Sequence, residues 1–192
     1  MTVSSDATHD TSGWGVLDDL PGHPMMWVLI FSELTAFGLL LGAFAVARAV
    51  DPAGFAADQT RLDVGLAGLN TLVLIASGWL AARAATAARS GRRTAVRGLT
   101  AGAIALGALF IGIKLVEYRH EIAGGVDPEA STFFTLYFLL TGFHLLHVGL
   151  GMVILAVVGW RAAADDVETG AAFWHMVDLV WLVMMPSLYL IR

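Results

Sequence analysis

The sequence contains no cysteine. That excludes disulfides, thiolate metal sites and cysteine-ligated iron–sulfur clusters. Charge is also scarce. Only 14% of the 192 residues are Asp, Glu, Lys or Arg, against about 25% in a soluble domain. Too few charged side chains are present to cover a water-facing surface. The chain has no basic tail, and its one arginine cluster lies between two apolar runs, so no nucleic acid partner is expected. Residues 1–24 carry no Lys or Arg and lack the basic start of a secretory signal. The first apolar run is therefore expected to serve as the insertion signal and to stay in place. No internal repeat is visible, which argues against an inverted-repeat transporter. No HExxH motif, phosphate-cradling glycine loop or nucleophile–base constellation stands out.

What the chain does have is apolar length. Hydrophobic residues make up 57% of it, in blocks long enough to cross hydrocarbon, which takes about 20 residues. The expected fold is all-α: a polytopic membrane bundle of five transmembrane helices over 25–47, 64–85, 98–117, 132–159 and 172–191. Residues 1–23 read as a flexible polar cytoplasmic tail before a helical domain over 24–192, with Pro24 suited to a first helical turn. The segments 48–63 and 118–131 read as polar loops, and Asp165, Asp166 and Glu168 as an acidic one. Arg83, Arg89, Arg92, Arg93 and Arg97 mark one connection as cytoplasmic by the positive-inside rule. This puts the N-terminus inside, and the 48–63 and 118–131 loops and the C-terminus outside.

Titratable residues inside such spans are costly and mark places of interest. Glu33 lies roughly 13 Å into the first span at 1.5 Å per residue. It reads either as structural glue or as a proton-exchanging group. His144 and His147 share one face of the fourth span. They suit interhelical hydrogen bonding better than metal or haem ligation, because few further donors are available. The hypothesis is that Glu33 meets one of these histidines. His175 and Asp178 also share a face, flanked by Trp174 and Trp181; the expectation is a structural polar lock. Trp174, Trp181 and Tyr189 are expected as interface anchors. Lys114 and Glu117, three apart at the end of the third span, can form an ion pair, but separate snorkelling to the interface is favoured.

The stretch Trp174-His175-Met176-Val177-Asp178-Leu179-Val180-Trp181 resembles a signature of subunit III of the haem–copper oxidases. Thr141-Gly142-Phe143-His144-Leu145-Leu146-His147-Val148 resembles that family's Thr-Gly-Phe-His-x-x-His-Val helix. Ser32-Glu33, between Trp27 and Phe37, is similar to the helix carrying the family's buried, carbodiimide-reactive glutamate. Asn70-Thr71, Glu117-Tyr118, Pro186 and Tyr189 also match, so the resemblance covers about residues 20–192. The first two of the seven helices of the mitochondrial type are missing. Within the five-helix members, Asp51-Pro52-Ala53-Gly54-Phe55, Leu69-Asn70-Thr71, Lys114-Leu115-Val116-Glu117-Tyr118 and Val167-Glu168-Thr169-Gly170-Ala171 look most like the branch associated with nitric oxide reductase.

The resemblance implies a multi-pass protein of the bacterial cytoplasmic (inner) membrane, not an enzyme by itself. It implies a non-redox accessory subunit that packs on a catalytic subunit and supports its stability, turnover or proton uptake. Haem and metal are expected in that partner and none in this chain, with bound phospholipid and membrane lipids as further contacts. The favoured complex is of the nitric oxide reductase class. The alternatives are subunit III of an oxygen-reducing cytochrome c or quinol oxidase, an independent proton or small-solute conduit, and a histidine-ligated haem or metal protein.

Overall fold

Three polar side chains decide where helices begin. In the computed structural model, which describes residues 24–191, Asp51 accepts from the Gly54 N–H at 3.0 Å. Asp63 accepts from the Leu66 N–H at 2.9 Å and Ser131 from the Phe134 N–H at 3.3 Å. Each satisfies an amide that has no partner within its own helix. The helices that result are α1 (Pro24–Val50), α2 (Pro52–Gln59), α3 (Val64–Arg89), α4 (Arg93–Ala123), α5 (Thr132–Arg161) and α6 (Ala164–Met185). A π-helical turn, Pro186–Leu190, follows α6 directly. All of the helices except α2 are long and apolar enough to cross a membrane.

Several boundaries differ from the sequence expectation. The 48–63 segment is not a simple loop, because Asp51 and Pro52 start the short helix α2 inside it. The third span begins at Arg93, not 98, and continues to Ala123, past 117. Polar residues 118–121 therefore belong to a helix that outruns its apolar stretch. The acidic stretch is not a loop either: Asp165 and Asp166 occupy the first turn of α6, where carboxylates meet the positive end of the helix dipole. The tail expected over 1–23, and Arg192, lie outside the described residues.

Helices α3, α4, α5 and α6 form a ring in which each packs on two neighbours, and α1 lies outside it against α5 and α6. The indole of Trp174 fills the centre. A Cβ placed on Gly107 of α4 would come within 2.8 Å of it, and so would one on Gly151 of α5. Absence of side chains at those two positions is what lets the helices close on the ring. Side-chain bonds tie the helices together across hydrocarbon, where unpaired polar groups are costly. Ser77 donates to the Ala103 carbonyl at 2.8 Å and Asn70 to the Phe110 carbonyl at 3.2 Å, both joining α3 to α4. The Trp181 N–H donates to the Thr71 hydroxyl at 2.9 Å, joining α6 to α3. Gln59 of α2 donates to the Leu188 and Ile191 carbonyls, holding the π-turn in place.

Replacing Gly151 by valine should force Trp174 out of its slot and destabilise the protein by about 1–3 kcal/mol. Gly149 faces open space, so Gly149→Ala should change stability by no more than about 0.5 kcal/mol. Thermal unfolding in detergent, followed by tryptophan fluorescence, separates the two; equal melting of both variants rejects the packing role.

Candidate functional site

Helix α1 carries Glu33 toward α5, and the structure brings it to His147 at 2.7 Å between Oε2 and Nε2. The contact is mostly shielded: the side chains are 20% and 8% exposed. On the other side of the ring, His147 Nδ1 lies 2.8 Å from the Phe143 carbonyl oxygen. A carbonyl only accepts, so Nδ1 bears hydrogen. The remaining nitrogen then either accepts from a protonated Glu33 or, as imidazolium, donates to its carboxylate. In both cases one proton is held between the two side chains. Phe37 packs edge-on to His147, with ring centroids 5.1 Å apart.

His144, one turn before His147, is fully buried and does not join this pair. Its ring stacks on Trp181 at 5.2 Å and meets the edge of Phe110. Neither of its nitrogens has a hydrogen-bond partner. His175 and Asp178 form a looser pair, 3.7 Å apart, too long for a hydrogen bond. Asp178 is buried, while the His175 side chain is 46% exposed. His175 lines a cavity of about 370 Å³ with Trp27, Arg89 and Glu168. Among the described residues, no group of three or more His, Asp or Glu side chains is placed to hold a metal ion.

A second cluster corrects the expectation for Lys114 and Glu117. They do not snorkel. Lys114, the single lysine of the chain, is 0% exposed and pairs with Glu117 at 3.1 Å. The reason is helix length: α4 runs on to Ala123, so both residues sit inside the ring and not at its rim. Lys114 also donates to the hydroxyls of Tyr137, at 2.8 Å, and Tyr189, at 2.5 Å. Four aromatic rings surround its ammonium within 5.6 Å: Tyr118, Tyr137, Trp181 and Tyr189. The Tyr189 hydroxyl donates to Glu117 Oε1 at 2.5 Å, and that of Tyr137 lies 2.9 Å from Glu117 Oε1 and 3.0 Å from Glu121 Oε1.

The expected anchors are therefore core residues. Trp174 and Trp181 are 0% and Tyr189 1% exposed. Their partners lie within the bundle: the Gly107–Gly151 slot, Thr71, and Lys114. Trp160 is 80% exposed with Arg97 over its ring, the disposition suited to a headgroup region. Glu121 and Tyr137 were given no role from sequence. The Lys114, Glu117, Glu121 spacing of three and four along one helix face signals Glu121, but a span ending at 117 leaves it in a loop.

Removing one partner of a buried ion pair costs about 3–5 kcal/mol because the other charge is stranded. Lys114→Met and Glu117→Gln should each lose that much, and the double variant should recover a large part of it in detergent unfolding; additive losses reject the pairing. Glu33→Ala should lose about 0.5–1.5 kcal/mol, the net value of a typical hydrogen bond, and an unchanged melting profile rejects the Glu33–His147 contact.

Comparison with known proteins adds the relationship. Residues 25–191 match the family described as cytochrome c oxidase subunit III. The cytochrome c oxidase subunit 3 of Synechocystis sp. is 30% identical over 187 residues, covering 88% of this chain and 78% of the relative. That of Thermostichus vulcanus is 27% identical, covering 98% and 93%. The cytochrome bo(3) ubiquinol oxidase subunit 3 of Pseudomonas aeruginosa is 26% identical, covering 96% and 88%. With the match running through every membrane-length helix and both buried clusters, the chain belongs to the cytochrome c oxidase subunit III family.

Proposed function

We propose that this chain is the non-catalytic subunit III of an oxygen-reducing cytochrome c or quinol oxidase of the haem–copper type. It packs in the cytoplasmic membrane of a bacterium on the catalytic subunit, which carries the haem and metal, and supports that subunit's stability, turnover or proton uptake. The observation that carries this reading is the family match over 25–191, joined by relatives named for both cytochrome c and quinol oxidases. The buried polar chemistry agrees with an accessory role. Glu33, His147, Lys114 and Glu117 are engaged in contacts between and along helices.

The order of the two branches is reversed relative to the sequence expectation. The nitric oxide reductase association rests on four short stretches, two of them at connections or helix ends. The relatives matched along most of the chain are named as oxidase subunits. Arg89, Arg92, Arg93 and Arg97 gather where α3 meets α4, and the positive-inside rule supports placing that end in the cytoplasm.

Purification of the tagged chain from native membranes in mild detergent tests the assignment. The expected product shows a haem spectrum and consumes oxygen with reduced cytochrome c or quinol. A partner that reduces nitric oxide but not oxygen moves the chain to the other branch, and extraction without any haem-containing partner overturns the accessory role. Proton flux through liposomes holding only this chain, abolished by Glu33→Gln, would instead support the independent conduit.

A further inference from the structure

A cavity of about 260 Å³ opens beside the Lys114 cluster, at the end of the bundle opposite the arginine-rich connection. Arg61, Asp63, Leu66, Glu117, His120 and Glu121 are among its lining residues. Glu117 and Glu121 are 2% and 8% exposed, and each has one carboxylate oxygen, Oε2, buried without a hydrogen-bond partner. An unpartnered buried carboxylate oxygen beside a cavity lacks a positive neighbour or a proton.

The charges facing the cavity do not balance. One cation, Arg61, and three carboxylates, Asp63, Glu117 and Glu121, line it, and Lys114, buried behind Glu117, adds a second cation. Asp63 is engaged in capping α3, and Arg61 lies over the Phe134 ring with Nη2 3.4 Å from the Gly124 carbonyl. Glu117 is well supplied with donors: Lys114 and Tyr189 both donate to its Oε1. Tyr137 stands within bonding distance of both glutamates, but its hydroxyl has a single hydrogen and serves only one at a time. Glu121 is therefore the carboxylate short of a donor. It also lies one helical turn from Glu117, where like charges repel. Of the other groups packed here, Tyr118 bonds Thr141, and His120 lies exposed on the cavity wall.

We propose that Glu121, paired with Glu117 and open to the cavity, is a proton-binding site of this subunit. Loading transfers a proton from hydronium in the cavity to a Glu121 oxygen: an O–H bond of hydronium breaks, one forms on the carboxylate, and water is left. Unloading returns the proton to water. With the proton aboard, the cluster holds as many positive as negative groups, and Tyr137 is free to donate to Glu117. A proton fits better than a metal cation, because among the described residues no set of three His, Asp or Glu side chains is placed to hold one. This site is separate from Glu33–His147, which lies between α1 and α5.

Infrared difference spectroscopy of the full chain, with whatever partners co-purify, tests this on titration from alkaline to acidic buffer. The expected signal is a protonated-carboxyl C=O band that grows as pH falls and shifts in D2O. It is lost in Glu121→Gln and retained in Glu33→Gln. Glu121→Asp should keep the band with a displaced midpoint, and this variant carries the test if the glutamine variant fails to fold. A band unaffected by Glu121→Gln, or a midpoint unmoved in Glu121→Asp, overturns the proposal. So does displacement of the band by sodium at fixed pH, which would make the site one for a metal cation.

Discussion

The Lys114 ammonium is the constraint around which one end of the bundle is built. An ion taken out of water costs several kcal/mol unless its bonding capacity is met by good geometry. Here α4 supplies the lysine and Glu117, α5 supplies Tyr137, and the turn after α6 supplies Tyr189. Pro186 matters in that scheme. It cannot donate a helical hydrogen bond, and the backbone widens into a π-turn in which the Ile191 N–H reaches back to the Pro186 carbonyl. Tyr189 in that turn bonds the lysine and the glutamate together.

A separate polar contact serves α1. That helix lies outside the ring and buries little of its surface against the rest of the chain. Hydrocarbon gives no hydrophobic drive for helices to associate, so α1 depends on side-chain fit and on Glu33–His147, with Phe37 packed against both fourth-span histidines. A contact holding one proton between two side chains stays bonded in either protonation arrangement. That suits a helix needing a durable hold in a low-dielectric setting.

The two clusters join helices to one another: Glu33–His147 holds α1 to α5, and Lys114 ties α4 to α5 and to the turn after α6. His144, His147 and His175 occupy three separate settings: one stacked among aromatics, one on Glu33, one at a cavity wall. Membership of the cytochrome c oxidase subunit III family gives that arrangement its context.

The sequence by itself determined the fold class, the number of membrane-length helices and the family. Those follow from apolar length and from motifs such as Trp174-His175 through Asp178 and Thr141-Gly142-Phe143-His144, which are local in the chain. It also made Glu33 and a histidine of the fourth span natural partners, because each needed one. The tertiary structure decided which histidine, and it decided inside from outside. Trp174, Trp181 and Tyr189 look alike as anchors or as core residues in sequence, since an aromatic ring with one polar atom suits both places. Only the glycine slots at 107 and 151, and a lysine brought beside Tyr189 from 75 residues away, settle the matter. Helix ends were hidden for a related reason: hydropathy marks where the hydrocarbon stops, whereas backbone hydrogen bonding carries α4 on to Glu121 and Ala123. Burial of a charge is a property of what surrounds it, and for Lys114 the bonding partners come from three separate helical segments.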